Sequence, residues 1–188
     1  MLILIVGPSG AGKDTLMNGA REVLGDGSSV RFVRRVITRP GDMGEEAHES
    51  VSEQQFRLRQ EAGDFALNWR AHGLHYAIPA DVTLDLARGR AVVANVSRAV
   101  VAEAAAQFPV VVIEITAPPA VLARRLSERG REDGEDVARR LSRAIEVPLR
   151  VERVTLVNDG TPEQGARKLV DAIRSAAGLG GDVGGAAE

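Results

Sequence analysis

The chain has 188 residues, 44% of them hydrophobic and 27% charged, with a formal net charge of −2 and no cysteine. That make-up fits one soluble globular domain with a sizeable core, and gives no global electrostatic case for nucleic acid or an anionic membrane. It excludes disulfides and thiolate metal sites, fits a reducing cytoplasm, and offers no apolar run near the roughly 20 residues that span a bilayer.

In chain order, LILIV (2–6) reads as a buried strand, with no basic region ahead of it to suggest a signal peptide. It leads into GPSGAGKDT, and a helix is expected from Gly12 to Leu24. Gly7, Pro8, Ser9, Gly10, Ala11, Gly12 and Lys13 stand at the spacing of a phosphate-binding loop. There the glycines let backbone N–H groups wrap phosphates, the helix N-terminus adds positive potential, and the lysine reaches the β/γ-phosphates. The pattern asks for Ser or Thr after the lysine; this chain has Asp14. Thr15 can donate to a phosphate or merely cap the helix. Only Lys13 and Lys168 are lysines in an otherwise arginine-only basic set. Base bias explains the arginines, whereas a compact ammonium suits the loop better than a planar guanidinium.

VRFVRRVIT (30–38) reads as one strand, and 39–52 as a polar loop. Ser52 is placed to cap a helix ending at Gly63, and FALNWRAHGLHYAIP (65–79) reads as short strands around a turn at Gly73. A helix over 81–89, a strand over 91–95, a helix from Arg98 to Gln107 and a strong strand over 110–116 follow. Pro118 and Pro119 open a helix to about Arg129, with a charged break at 131–136 and a further helix from Val137 to Val147. A last strand (154–159), a last helix (161–176) and a glycine-rich tail (178–188), expected to be disordered, close the chain. The alternation is that of an α/β protein with a mainly parallel sheet, interrupted over about 30–90 by an inserted sub-region.

Arg34, Arg35 and Arg39 could clamp a second anion in bidentate fashion; a solvated strand edge is the competing reading. Arg124, Arg125, Arg129, Arg131, Arg139 and Arg140 surround two glycines, as a kinase lid would arrange them, or simply form a solvated helix pair. His48, His72 and His75 have no ligand partner at helical spacing, so no histidine-bound metal is expected.

Together these pieces resemble the guanylate kinase family over about residues 2–175: GPSGAGK (7–13), ITRP (37–40), GE (44–45), SVS (50–52), FALNWRAHGLHYAIP, RLSERG followed by RRL (125–141) and LVND (156–159). The resemblance implies a P-loop kinase within 1–177, with a five-stranded, mainly parallel sheet flanked by helices. It also implies an acceptor-binding insertion at about 31–90 and a lid at about 129–138. ATP with Mg²⁺ would occupy residues 7–15, with Asn158 near the adenine. Lys13, Arg129 and Arg140 would be catalytic, and Arg35, Arg39 and Tyr76 would hold the acceptor phosphate.

The departures concern the acceptor. Where the family has an acid that reads guanine, Phe65-Ala66-Leu67 has none, and the hydroxyl residue two positions after the tyrosine is Ile78. Loss of buried polar partners removes base discrimination. Asp after the lysine, VITRP, E-x-H-E, the 65–79 segment and V-x-N-x-S-R (93–98) resemble a sister group, the ribose 1,5-bisphosphate phosphokinases of phosphonate breakdown. This extends the implied acceptor set to His48, Glu49, Asn95, Ser97 and Arg98. It makes the partners ATP and a small bisphosphorylated sugar, in the cytoplasm, without nucleic acid or membrane; the oligomeric state stays open, a homodimer included. A GMP kinase, a kinase for another phosphorylated sugar and a non-catalytic interaction module are the alternatives. For Asp14 two readings stand: with Asn95 opposite, it carries the magnesium contact, directly or through water, or it only favours the helix N-terminus.

Overall fold

The computed structural model describes residues 1–25, 27, 29–39, 48–128 and 151–179, the side chains of Leu126 and Glu128 excepted. Five apolar runs form one parallel sheet in the order β2 (Val30–Phe32), β7 (Ala91–Asn95), β1 (Leu2–Val6), β8 (Val110–Thr116), β9 (Glu152–Val157). Every residue of β1 is buried. Its period-two alternation divides them between two cores. Ile3 and Ile5 meet Ile113, Ile115, Leu16, Leu169 and Ile173 on one face. Leu2, Leu4 and Val6 meet Val92, Val112, Val101 and Ala104 on the other.

Helix α1 (Lys13–Leu24) packs on the first face beside the last helix, α6 (Pro162–Ala176), whose N-terminus has a full capping box from Thr161 and Gln164 and a proline in the first turn. Between β7 and β8 a single 3₁₀ turn (Arg98–Val100) leads into α4 (Val101–Gln107), and α5 (Pro119–Glu128) follows β8.

A second sheet, in the order β4 (Glu49–Ser50), β3 (Val36–Ile37), β6 (Leu74–Pro79), β5 (Phe65–Ala71), interrupts the α/β alternation. Its hairpin turns at His72 and Gly73, both at positive φ (51° and 75°), as a two-residue hairpin loop of the primed type requires. Helix α2 (Glu53–Glu61) carries a capping box between Ser52 and Gln55, and its Phe56 packs with Val36 and Ala77 in a small separate core.

Helix α3 (Val82–Ala87) returns the chain to β7. Its buried Asp85 takes Arg90 Nη1 at 2.6 Å and Arg31 Nη1 from β2, and Arg31 Nη2 also reaches Asp81 at 2.9 Å. The hydrogen bond from Arg31 is the main reason the Asp85 carboxyl is held below its usual range, and it outweighs the opposing effect of burial.

Three sequence expectations are corrected. The run 30–38 is two strands in two sheets: Val33 N still donates to Val93 O at 2.9 Å, then the chain crosses over and Val36 pairs with Ala77. The expected loop 39–52 contains β4, which pairs in parallel with β3. The last strand runs 152–157 rather than 154–159, leaving Asn158 just beyond its end. The expected lid (129–138), the helix at 137–147 and the tail from 180 onward lie outside the described residues.

Candidate active site

The carboxyl ends of the central strands converge where β1 has later strands, β7 and β8, on both sides, the place where open α/β sheets bind ligands. Residues 7–12 form the loop between β1 and α1. Gly7 passes so close to β8 that a Cβ there would lie 2.0 Å from Ile115 O. Gly12 sits at φ 85°, and a Cβ there would lie 2.6 Å from Asn158 Nδ2. Ala11 N donates to Pro8 O at 3.3 Å, closing the turn over Ser9 and Gly10. Lys13 Nζ reaches back across the loop to Gly7 O at 2.9 Å and Pro8 O at 3.0 Å.

Asp14 lies in the first turn of α1, and Asn95 ends β7, paired in register with Ile5. The two meet: Asn95 Nδ2 donates to Asp14 Oδ1 at 3.0 Å. The expected facing of these side chains is therefore present, and Asn95 is buried at 5% exposure.

A cavity of about 230 Å³ opens beside the loop, lined by Gly10, Gly12, Thr15, Leu16, Arg125, Asn158 and Pro162. Asn158 Nδ2 donates to Ala11 O at 2.8 Å, tying the strand end to the loop. Asn158 Oδ1 and Arg125 Nη1 are buried without a hydrogen-bond partner, a state native proteins rarely leave unexplained by a ligand or water. The sequence singles out Arg125 only as one of six candidate lid arginines, whereas the structure puts it on the wall of this cavity, and Pro162 carries no polar chemistry to find it by.

On the second sheet, Arg35 lies over the Tyr76 ring at 5.3 Å, and that ring stacks on Trp69 at 5.5 Å and 9°. Arg39 Nη2 lies 3.4 Å from His48 Nδ1. A space of about 370 Å³ is lined by Thr38, Arg39, Ser50, Val51, Ser52, Glu53 and Gln55. Glu49 is engaged elsewhere, accepting from Arg59 Nη1 at 2.6 Å. At the end of β7, Ser97 Oγ accepts from Ala99 N at 3.4 Å, and Arg98 Nη2 lies 3.8 Å from Glu114. Arg129 and Arg140 lie outside the described residues. Leu67 and Ile78 are directly opposite each other across β5 and β6, at 1% and 0% exposure, inside the second core.

A glycine loop between a central parallel strand and a helix, with a lysine folded over it and an arginine-bearing second sheet, defines a P-loop kinase fold. The crystal structure of guanylate kinase from Anaplasma phagocytophilum superposes with a TM-score of 0.69 at 17% identity, covering 94% of this chain and 86% of that one. The chain belongs to the ribose 1,5-bisphosphate phosphokinase family. It is 51% identical over 162 residues to "Ribose 1,5-bisphosphate phosphokinase PhnN" of Acidiphilium cryptum, covering 86% of each. Residues 3–146 also match the family model described as an AAA domain. The "Bifunctional ribose 1,5-bisphosphokinase-thymidine phosphorylase" of Cupriavidus necator is 51% identical over 91% of this chain, and the chain spans 28% of that protein's length. Among the described residues no helix is long and apolar enough to cross a membrane.

Proposed function

We propose that the protein transfers the γ-phosphoryl group of ATP to the 1-phosphate of ribose 1,5-bisphosphate, giving 5-phosphoribosyl 1-diphosphate and ADP, in the cytoplasm as a step of phosphonate degradation. An oxygen of the 1-phosphate attacks the γ-phosphorus in line, and the bond to the β,γ-bridging oxygen breaks, leaving on ADP. The acceptor is already an ionised phosphate, so no strong general base is required, and catalysis is positioning and charge neutralisation.

The observation that carries this reading is the Leu67–Ile78 pair. These stand at the positions where guanylate kinases read the base, and they are buried against each other in the core. Arginine and tyrosine groups suited to phosphate remain at Arg35, Arg39 and Tyr76. The acceptor then needs phosphates and no base. Asn95, Ser97 and Arg98 complete that side of the site, with His48 beside Arg39 and Glu49 held by Arg59, and Arg129 and Arg140 complete the catalytic set with Lys13. The loop 7–15 takes the ATP phosphates, and the cavity with its unpaired Arg125 Nη1 and Asn158 Oδ1 takes the adenine.

The described residues contain no group of three or more His, Cys, Asp or Glu that could hold a metal by themselves. That fits an ion that arrives on ATP and takes one or two carboxylates from the protein. Asp14 is the fitting ligand: a carboxylate at the loop, oriented by the Asn95 amide. Bound there, directly or through water, Mg²⁺ would neutralise charge on the phosphates. Asp14→Asn is expected to raise the Mg²⁺ concentration needed for half-maximal turnover about tenfold; an unchanged requirement would leave Asp14 only its favourable place at the helix N-terminus.

The acceptor itself is tested by supplying ATP with Mg²⁺ and either ribose 1,5-bisphosphate or GMP. Turnover of the sugar with inert GMP is the expected outcome. Efficient GMP phosphorylation with an inert sugar would overturn the reading.

A further inference from the structure

Backbone pairing fixes where His48 lies. Glu49 N donates to Arg35 O at 2.8 Å and Val51 N to Ile37 O at 3.1 Å, so the backbone just ahead of β4 runs beside Arg35, and it is the His48 side chain that meets Arg39. Arg34 Nη2 donates to the His48 carbonyl at 2.9 Å, and the Ser50 hydroxyl donates to the Arg39 carbonyl. The His48 ring is thus delivered to a defined place, and at 5% exposure it has little access to water.

Both ring nitrogens meet the same residue. Nδ1 lies 3.4 Å from Arg39 Nη2, and Nε2 lies 3.4 Å from the Arg39 carbonyl oxygen. A guanidinium can only donate and a carbonyl can only accept. One state of the ring satisfies both: neutral, with the proton on Nε2 and the lone pair on Nδ1. The opposite tautomer would set donor against donor and lone pair against lone pair. An imidazolium would place a second positive charge against the guanidinium. Arg39 Nε is buried with no partner, so that nitrogen does not set the direction of the guanidinium plane.

We propose that His48 is a positioning residue: its neutral imidazole, protonated at Nε2, grips Arg39 at both its carbonyl and its guanidinium and aims the latter at the acceptor phosphate. This rests on the assignment of Arg39 to the acceptor. It gives the histidine of the E-x-H-E segment a role carried through Arg39 rather than through contact with the substrate. A preorganised guanidinium loses less freedom on binding, so the role should appear in acceptor affinity.

The test has two arms. Nitrogen NMR of the wild-type protein without substrates should show the Nε2–H tautomer for His48, assigned by its loss in His48→Asn, with His72 and His75 the only other histidines. In steady-state kinetics, His48→Leu should raise the acceptor KM about tenfold or more, leaving kcat and the ATP KM within about twofold. His48→Asn, which offers an amide oxygen where Nδ1 was, should restore most of the affinity. In an Arg39→Gln background, His48→Leu should add little. An Nδ1–H or doubly protonated ring at neutral pH, equal defects for the Asn and Leu variants, additivity with Arg39→Gln, or a loss confined to kcat would each overturn the proposal. Should His48→Leu fail to fold, the tautomer and the comparison of His48→Asn with Arg39→Gln decide. If the wild type phosphorylates neither sugar nor GMP, the proposed function falls and the positioning role with it; a wrong tautomer or equal Asn and Leu defects in a protein that does turn over the sugar overturn the positioning role alone.

Discussion

Gly12 shows how one missing side chain couples two parts of the proposed nucleotide site. Its φ of 85° is strained for any other residue, and a Cβ would enter the space of Asn158 Nδ2. Gly12→Ala should therefore displace the Asn158–Ala11 hydrogen bond as well as distort the loop. The expected result is a rise in the ATP KM of about a hundredfold with a smaller change in the acceptor KM, read from steady-state kinetics. The place of the loop between β1 and α1 was legible in the sequence, because its glycines stand at a fixed spacing. Asp14 and Asn95 were legible as partners only through resemblance; nothing in the spacing of residues 81 apart says that they touch at 3.0 Å. Arg125 was marked in the sequence only as a candidate lid arginine, and what sets it apart is environmental: a buried nitrogen with no partner.

Among the elements, α3 is held by charge as much as by apolar contact. Asp85 joins this short helix to β2 through Arg31 and to the start of β7 through Arg90. Removing one partner of such a buried cluster leaves charge uncompensated, so Asp85→Ala should cost about 3–5 kcal/mol by denaturant unfolding. The pH dependence follows from the depressed carboxyl. The folded state binds its proton less readily than the unfolded chain. The contribution is therefore fully present above the usual aspartate value of 3.8 and is lost as pH falls through the lower folded value. Asp85→Asn should be less stable than wild type at pH 7 and should lose less further stability on acidification below about pH 4, measured as Tm against pH. The long apolar strands and capped helices could be read directly, since period and caps are local signals. The crossover within 30–38 could not, because Val36, Ile37 and Thr38 resume the strand-like pattern straight after Arg34 and Arg35, and β4 could not, being two polar residues long.

Across the whole molecule, the two sheets differ in how much apolar material supports them. The central sheet is packed on both faces by large clusters, whereas Val36, Phe56 and Ala77 are the buried members of the separate core beneath the second sheet. Local opening is easiest where few buried contacts must break. Hydrogen exchange should accordingly be faster over β3, β4 and α2 than over β1, β7 and β8, and binding of ribose 1,5-bisphosphate should slow the first group selectively; uniform protection would contradict this. The sheet class and the break in the α/β alternation were legible from the order of strands and helices. The division of cores was not, since it depends on which strands pair across long stretches of chain.

The Leu67–Ile78 pair also constrains the routes by which such a protein could change its acceptor. The two residues face each other across a hairpin, each sealed by the other. A glutamate introduced alone would bury a carboxylate against an isoleucine, and a serine introduced alone would leave a hydroxyl against a leucine. Neither step gains a base contact that compensates for what the core loses. The path between a sugar-phosphate site and a base-reading site therefore crosses a ridge of epistasis at one cross-strand position. A lineage settled on either side of it would tend to remain there unless stability gained elsewhere carried it over.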